Sequence, residues 1–220
     1  PEFDAASRPR AGSRVEVGAE GVPAARRPLE GPGFRVVHLD DHLVVVDKDA
    51  GILTVPATRE APGDPPLVAR VIAAMGVAGH RVREGLWVVH RIDRSTSGLV
   101  LFARSRRAAE DLRRQFRARL PRREYLLWTE GIPDPPSGAL RHLLRESEKS
   151  RRVFATRTPG DAREAELLYT VEARTKGDPR RARVRVQLVT GRRNQIRVQF
   201  SACGWPLLGD TFYGDGRGMS

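Results

Sequence analysis

The chain has 220 residues, 40% of them hydrophobic and 30% charged, which suits one globular domain and is too apolar for a wholly disordered chain. No apolar run approaches the roughly 18 residues of a membrane-spanning helix, and the single cysteine, Cys203, excludes an internal disulfide. Thirty-nine basic residues against 27 acidic ones leave a net charge of +12, and only Lys48, Lys149 and Lys176 among the bases are lysines.

Arginine presents a flat fork of donors that suits phosphate and stacks on bases. This balance predicts a polyanionic partner, most simply a nucleic acid. Five scattered histidines with one cysteine make a poor metal set, so no metal is expected. The chain reads as soluble and cytoplasmic, with no secretory leader. The start, Pro1-Glu2-Phe3, reads as a processing or cloning scar.

Residues 1–33 are rich in Gly, Pro, Ala and Arg without apolar periodicity, and read as a flexible basic arm too short and polar for an S4-type RNA-binding domain. Residues 34–220 read as the folded domain. Phe34-Arg35-Val36-Val37-His38 and Leu43-Val44-Val45-Val46 flank Asp40-Asp41 and predict a hairpin. Leu67, Val71, Ile72 and Met75 recur at helical spacing after Pro65-Pro66, with Gly76 as the stop. Two apolar strands follow, Leu86-Trp87-Val88-Val89 and Leu99-Val100-Leu101-Phe102-Ala103, on either side of a polar loop.

Ala109, Leu112 and Phe116 make the apolar stripe of a helix near residues 106–119, whose other face holds Arg106, Arg107, Arg113, Arg114 and Arg117. Tyr125-Leu126-Leu127-Trp128 and Glu166 to Val171 predict strands. From Arg181 the alternation is strict: Arg181, Arg183, Arg185 and Gln187 share one face, and Ala182, Val184, Val186 and Leu188 the other. Ile196, Phe200 and Cys203 then predict a helix ending at Gly204. Runs of strands with few helices predict an α+β fold with a mixed, mostly antiparallel β-sheet core.

The densest polar segment, His90-Arg91-Ile92-Asp93-Arg94-Ser95-Thr96-Ser97-Gly98, lies between two apolar strands that must be anchored in a core. A loop held in that way can present one reactive side chain. Asp93 is its only carboxylate, with Arg91 and Arg94 beside it. A structural aspartate turn is the alternative reading of the same residues. A second segment, Thr190-Gly191-Arg192-Arg193-Asn194-Gln195-Ile196-Arg197, combines a strand end, a glycine and a polar helix start. It points backbone N–H groups and two arginines at an anion, unless it is simply a solvated helix N-terminus.

Together these segments carry a family resemblance. His90 to Ala103 closely resembles the H-R-L-D-x-x-T-S-G-L-L-L-F-A signature of RluA-type pseudouridine synthases. Asp47-Lys48-Asp49-Ala50-Gly51-Ile52-Leu53 resembles their N/D-K-P-A-G-L segment, with Asp49 where proline is usual. Arg123-Glu124-Tyr125-Leu126 resembles K-x-Y, and Thr190 to Val198 resembles T-G-R-T-H-Q-I-R-V. Pro206-Leu207-Leu208-Gly209-Asp210 with Tyr213-Gly214 resembles the closing P-L-L-G-D-x-x-Y-G. The match runs from about residue 34 to 214, in order. Asn194, Gln199 and Trp205 stand where the family often has histidines, which would mark a subgroup with an altered RNA surface.

The resemblance implies a pseudouridine-synthase-like catalytic fold with a central RNA-binding cleft. It implies conversion of uridine to pseudouridine in ribosomal or transfer RNA, without cofactor or metal. Asp93 would be the catalytic aspartate, Tyr125 the aromatic wall for the target uracil, and Arg197 the basic partner of the aspartate. Arg91 occupies the place of an arginine that can enter the RNA stack beside an extruded base. Further candidate RNA contacts are Arg94, Arg192, Arg193, Asn194 and Gln195. The arginine faces of residues 106–119 and of Arg181, Arg183 and Arg185 could add phosphate contacts. RNA would be the partner of a monomer, with no membrane involved. The alternative is a catalytically silent RNA-binding or assembly factor with the same fold.

Overall fold

Two five-stranded antiparallel sheets account for nearly all the β-branched runs, and three helices accompany them. The computed structural model describes residues 29–56, 64–80, 82, 85–150, 152–177 and 180–214. Most of the expected arm, 1–28, therefore lies outside the described residues. Its last residues are folded, however: β1 (Glu30–Gly31) pairs with β2 (Phe34–Leu39) through a turn at Gly33 (φ 81°). A strand of two residues has no periodicity to read, so the sequence does not reveal it.

The first sheet has the order β1-β2-β3-β5-β4. Its inner strand β3 (Leu43–Lys48) pairs with β2 as the predicted hairpin and with β5 (Gly98–Ala103) across the sheet. The short β4 (Trp87–Val88) closes the edge beside β5. Val44, Val46, Val100 and Phe102 pack with Leu67, Val71 and Met75 of α1 (Leu67–Val77), all fully buried. That helix runs through Gly76, and its last turn is capped at Ala78. Helix α2 (Arg106–Arg117) begins at Ser105, whose hydroxyl accepts from Ala108 N–H at 3.2 Å, an N-cap bond of ordinary geometry.

The second sheet has the order β6-β10-β9-β7-β8, formed by β6 (Arg123–Glu130), β7 (Ser137–Glu146), β8 (Val153–Thr156), β9 (Arg163–Arg174) and β10 (Arg181–Leu188). Helix α3 (Gln195–Ala202) buries Phe200 against Val184, Val186, Leu167 and Tyr169. Strands β7 and β8 are absent from the sequence reading. In β7 the buried Leu140 and Leu144 are four residues apart, a spacing equally at home on a helix.

The expected α+β fold with a mostly antiparallel core is borne out. Every strand pairing among the described elements is antiparallel, and the one parallel link is an isolated bridge between Gly131 and Arg181.

Candidate active site

The alternation of β3 carries straight into the site. Val44, Val46 and Lys48 share its buried face, so a lysine ends a run of core valines with no exposed surface. A buried ammonium needs acceptors. Lys48 Nζ donates to the carbonyls of Asp49 and Ile52 at 2.9 Å and of Arg94 at 3.3 Å. Burial pushes the Lys48 ammonium below its ordinary pKa, against the opposing charges of Asp49 and Asp93.

These bonds bind the 49–54 turn to the loop between β4 and β5. Gly51 N–H donates to Arg94 O at 2.7 Å, and Arg94 Nε returns a bond to Gly51 O at 2.9 Å. Gly51 has φ 93°, a conformation that favours glycine. Thr54 Oγ1 donates to Ile92 O at 3.0 Å, while the Ile92 side chain sits in the core of the first sheet. Asp93 is therefore fixed from both sides by its neighbours, and a Thr96 N–H bond to Asp93 O at 3.1 Å closes the turn. At the loop's entry, His90 Nε2 accepts from Leu101 N–H at 3.0 Å and the ring stacks on Phe116 of α2, centroids 4.8 Å apart. Burial, with Arg123 adding to it, pushes His90 down to about 4, so the ring is neutral at pH 7.

Tyr125 projects from β6, the edge strand of the second sheet, and is half-buried on the face shared with its cross-strand partner Val186. Its phenol is raised by burial, with Arg123 opposing and Asp93 adding to the rise. Arg197 lies in the first turn of α3. Its pKa is raised first by hydrogen bonding to Asp210, against burial, with the charges of Asp210 and then Asp93 contributing. The Asp93 carboxylate is thus within electrostatic reach of Lys48, Tyr125 and Arg197, which come from three separate elements.

Arg197 has a closer acidic partner than expected. Its Nε and Nη2 each bond an oxygen of Asp210 at 2.7 Å, and Asp210 retains only 5% of its side-chain exposure. Asp210 also accepts from Phe212 and Tyr213 N–H at 3.0 Å. The turn is tight: a Cβ on Gly214 would stand 2.3 Å from Asp210 O, so only glycine fits there. Lys48 and Asp210 are the residues that reading by motif left without a role. Period-two alternation from Val44 was the available signal for Lys48. Asp210 carried no local signal, since its partner lies in a helix 13 residues earlier.

The remaining candidates divide. Arg91 and Arg94 are exposed beside Asp93. Arg193 is exposed and paired with Glu146, and Arg192 Nε donates to Glu164 O at 2.9 Å. Asn194 adopts φ 52° and its amide donates to the Tyr213 hydroxyl at 3.2 Å. Gln195, a candidate RNA contact, is 2% exposed; its Oε1 accepts from Thr190 Oγ1 and Arg192 N–H, both at 2.9 Å. The amide of Gln195 thus occupies one of the backbone donors expected to point at an anion, that of Arg192.

Two arginine faces also change role. Arg113 is tied to Val88 O by two bonds of 3.1 and 2.7 Å, which leaves Arg106, Arg107, Arg114 and Arg117 as the exposed face of α2. Arg183 and Arg185 bond Glu172 and alternate with Val184 and Val186, so they lie on the opposite face of the sheet from Tyr125. Among the described residues no group of three or more His, Cys, Asp or Glu could hold a metal, and no helix is long and apolar enough to cross a membrane.

Residues 42–202 match the RNA pseudouridylate synthase family. The chain is 31% identical over 190 residues to the dual-specificity RNA pseudouridine synthase RluA of Escherichia coli O157:H7, covering 84% of this chain and 80% of that protein. It is 35% identical over 188 residues, with the same coverage, to the protein of that name from Pasteurella multocida strain Pm70. Among solved structures, human RNA pseudouridylate synthase domain containing 4 superposes with a TM-score of 0.65 at 25% identity, covering 81% of this chain and 68% of that one. Human RNA pseudouridylate synthase domain containing 1 gives 0.67 at 23% identity, over 88% and 74%, and this likeness speaks for the fold alone.

Proposed function

This chain belongs to the RNA pseudouridylate synthase family and is an RNA pseudouridine synthase, and from that premise we propose that Asp93 is its catalytic carboxylate, with Tyr125 and Arg197 as its working partners. The observation that carries this reading is the convergence on Asp93. Its neighbours Ile92 and Arg94 are tied to the 49–54 turn and its anchor through Lys48, Gly51 and Thr54, and its charge reaches Tyr125 and Arg197.

The reaction breaks the N1–C1′ bond, turns the uracil and joins C5 to C1′. Uracil leaves with the bonding pair as a delocalised anion. No leaving oxygen needs a proton and no water is activated, so one carboxylate replaces the pair a glycosidase needs. Asp93 either attacks C1′ or takes the C2′ proton, and is restored as C5 bonds to C1′. The C5 proton is then lost and N1 gains one, so the product is an isomer of the substrate. Tyr125, a neutral phenol whose pKa burial raises further, supplies a flat wall against which uracil turns without escaping. Arg197 uses two of its five N–H donors on Asp210, and in this reading its remaining donors serve Asp93 or the RNA.

The uridine must first leave its stack, at a cost of a few kcal/mol. Arg91 enters the vacated place and Arg94 meets the backbone beside it. The exposed arginines of α2 extend this track, because Phe116 of that helix stacks on His90 at the start of the Asp93 loop. Arg193 lies on the α3 side. The substrate is ribosomal or transfer RNA, and the dual-specificity relatives favour more than one RNA target. The enzyme acts as a cytoplasmic monomer without metal or cofactor.

Pseudouridine mapping tests the proposal. RNA from cells lacking this gene, incubated with the wild-type chain, should gain pseudouridine at discrete sites, and the Asp93→Asn chain should restore none. Equal restoration by the variant would remove Asp93 from the mechanism.

A further inference from the structure

The turn that anchors Arg197 carries an exposed aromatic ring for which the reaction has no use. Phe212 is 47% exposed, whereas the adjoining Tyr213 is fully buried. Single exposed rings are common on protein surfaces, but this one has its backbone fixed and is flanked by two guanidinium groups. Its N–H donates to Asp210 Oδ1 at 3.0 Å, and its carbonyl accepts from Arg152 Nη2 at 2.9 Å. The ring meets Tyr213 edge to face, centroids 4.8 Å apart. The guanidinium of Arg152 lies 4.9 Å from the Phe212 centroid, and that of Arg197 lies 5.9 Å away.

Asp210 links this ring to the site, since the same carboxylate bonds Arg197 and the Phe212 backbone. One carboxylate therefore holds both the Phe212 backbone and the Arg197 guanidinium, and Arg197 in turn feels the charge of Asp93. A flat apolar ring held rigid among arginines matches what an unpaired nucleotide offers, a π-face on the base and a negative charge on its phosphate. The target uracil already has its wall in Tyr125, so a base on Phe212 belongs to a different nucleotide.

We propose that Phe212, with Arg152 beside it, is a stacking platform for an unpaired nucleobase next to the target uridine. This rests on the catalytic reading above and adds a substrate-contact residue to it. Arg152 meets the phosphate of that nucleotide. Because a ring offers no hydrogen-bond code, the platform selects an unstacked neighbour by stacking strength.

The test compares Phe212→Ala, Phe212→Leu and Phe212→Tyr in the full chain, using RNA from cells lacking this gene and reading initial rates of pseudouridine formation. Leucine fills the volume and keeps the turn packed but cannot stack, whereas tyrosine can. The platform predicts that Ala and Leu each raise KM about tenfold with kcat within about twofold, and that Tyr restores the wild-type KM. A wild-type KM in the Leu variant overturns the proposal, because filling volume would then suffice. A fall in kcat at unchanged KM also overturns it, since the ring would then act only by steadying Arg197. A wild-type chain that makes no pseudouridine in this RNA would refute the catalytic reading itself, and the platform with it.

Discussion

Arg197 and Asp210 form a two-bond ion pair, both contacts 2.7 Å, with the Asp210 side chain only 5% exposed. The same carboxylate holds the N–H groups of Phe212 and Tyr213. One buried acid therefore fixes both Arg197 and the 210–213 turn. Removing one partner of such a pair strands the other charge, at a cost of about 3–5 kcal/mol. Asp210→Asn should lower the melting temperature and depress kcat more than it raises KM. Thermal melts and steady-state rates check both, and an unchanged kcat would show that Arg197 needs no anchor.

The same pair has an acid limit. Burial alone would raise Asp210, but the bonds from Arg197 and from the two backbone N–H groups outweigh it and hold the carboxyl below its ordinary value. Its stabilising contribution is complete above the unfolded value of about 3.9 and fades as pH falls through the lower folded value. Melting curves between pH 7 and pH 3 should show the wild type losing stability below about pH 4. Asp210→Asn should start lower and lose less over that interval.

His90 sets an earlier loss. Burial, then the charge of Arg123, places its folded pKa at about 4, below the unfolded value of about 6.5. Between those values the unfolded chain binds the extra proton, so stability is complete above about pH 6.5 and declines towards pH 4, by about 3 kcal/mol in all. His90→Gln offers a non-titrating acceptor to Leu101 N–H and should flatten that decline. An NMR titration in which the His90 ring titrates near 6.5 would contradict the buried, neutral imidazole.

Lys48 tests the frame beneath Asp93. Lys48→Met keeps the length of the side chain and leaves the carbonyls of Asp49, Ile52 and Arg94 without its donor. Two or three under-satisfied buried carbonyls should cost about 2–4 kcal/mol, or roughly 5–15 °C of melting temperature for a chain of this size. The loosened loop should lower kcat as well, assayed at a temperature where the variant remains folded. Wild-type kcat in a folded Lys48→Met chain would show that the clamp does not orient the aspartate.

Much of this was legible in the residues. The β2–β3 hairpin, the strands around the Asp93 loop, the alternation of β10 and the start of α3 follow from period and punctuation alone. What escaped depends on partners distant in the chain. Leu140 and Leu144 of β7 become strand residues only by pairing with Leu167 and the neighbouring part of β9. Gln195 has the polarity of an RNA contact, but the fold spends its amide on Thr190, Arg192 and Glu166. Arg183 and Arg185 add to the net positive charge, but alternation turns them away from Tyr125 and onto Glu172. Local sequence shows which side chains have chemistry, while the tertiary pairing decides which of them remain available for it.

The most direct measurement is the single-turnover rate of pseudouridine formation by Asp93→Asn at saturating enzyme, set beside its dissociation constant for the same RNA. The account predicts a rate lower by at least about a thousandfold and an affinity within about threefold of wild type, because the carboxylate acts on the sugar and not in holding the RNA. A variant that isomerises uridine at the wild-type rate, or that loses affinity in proportion to rate, would contradict it.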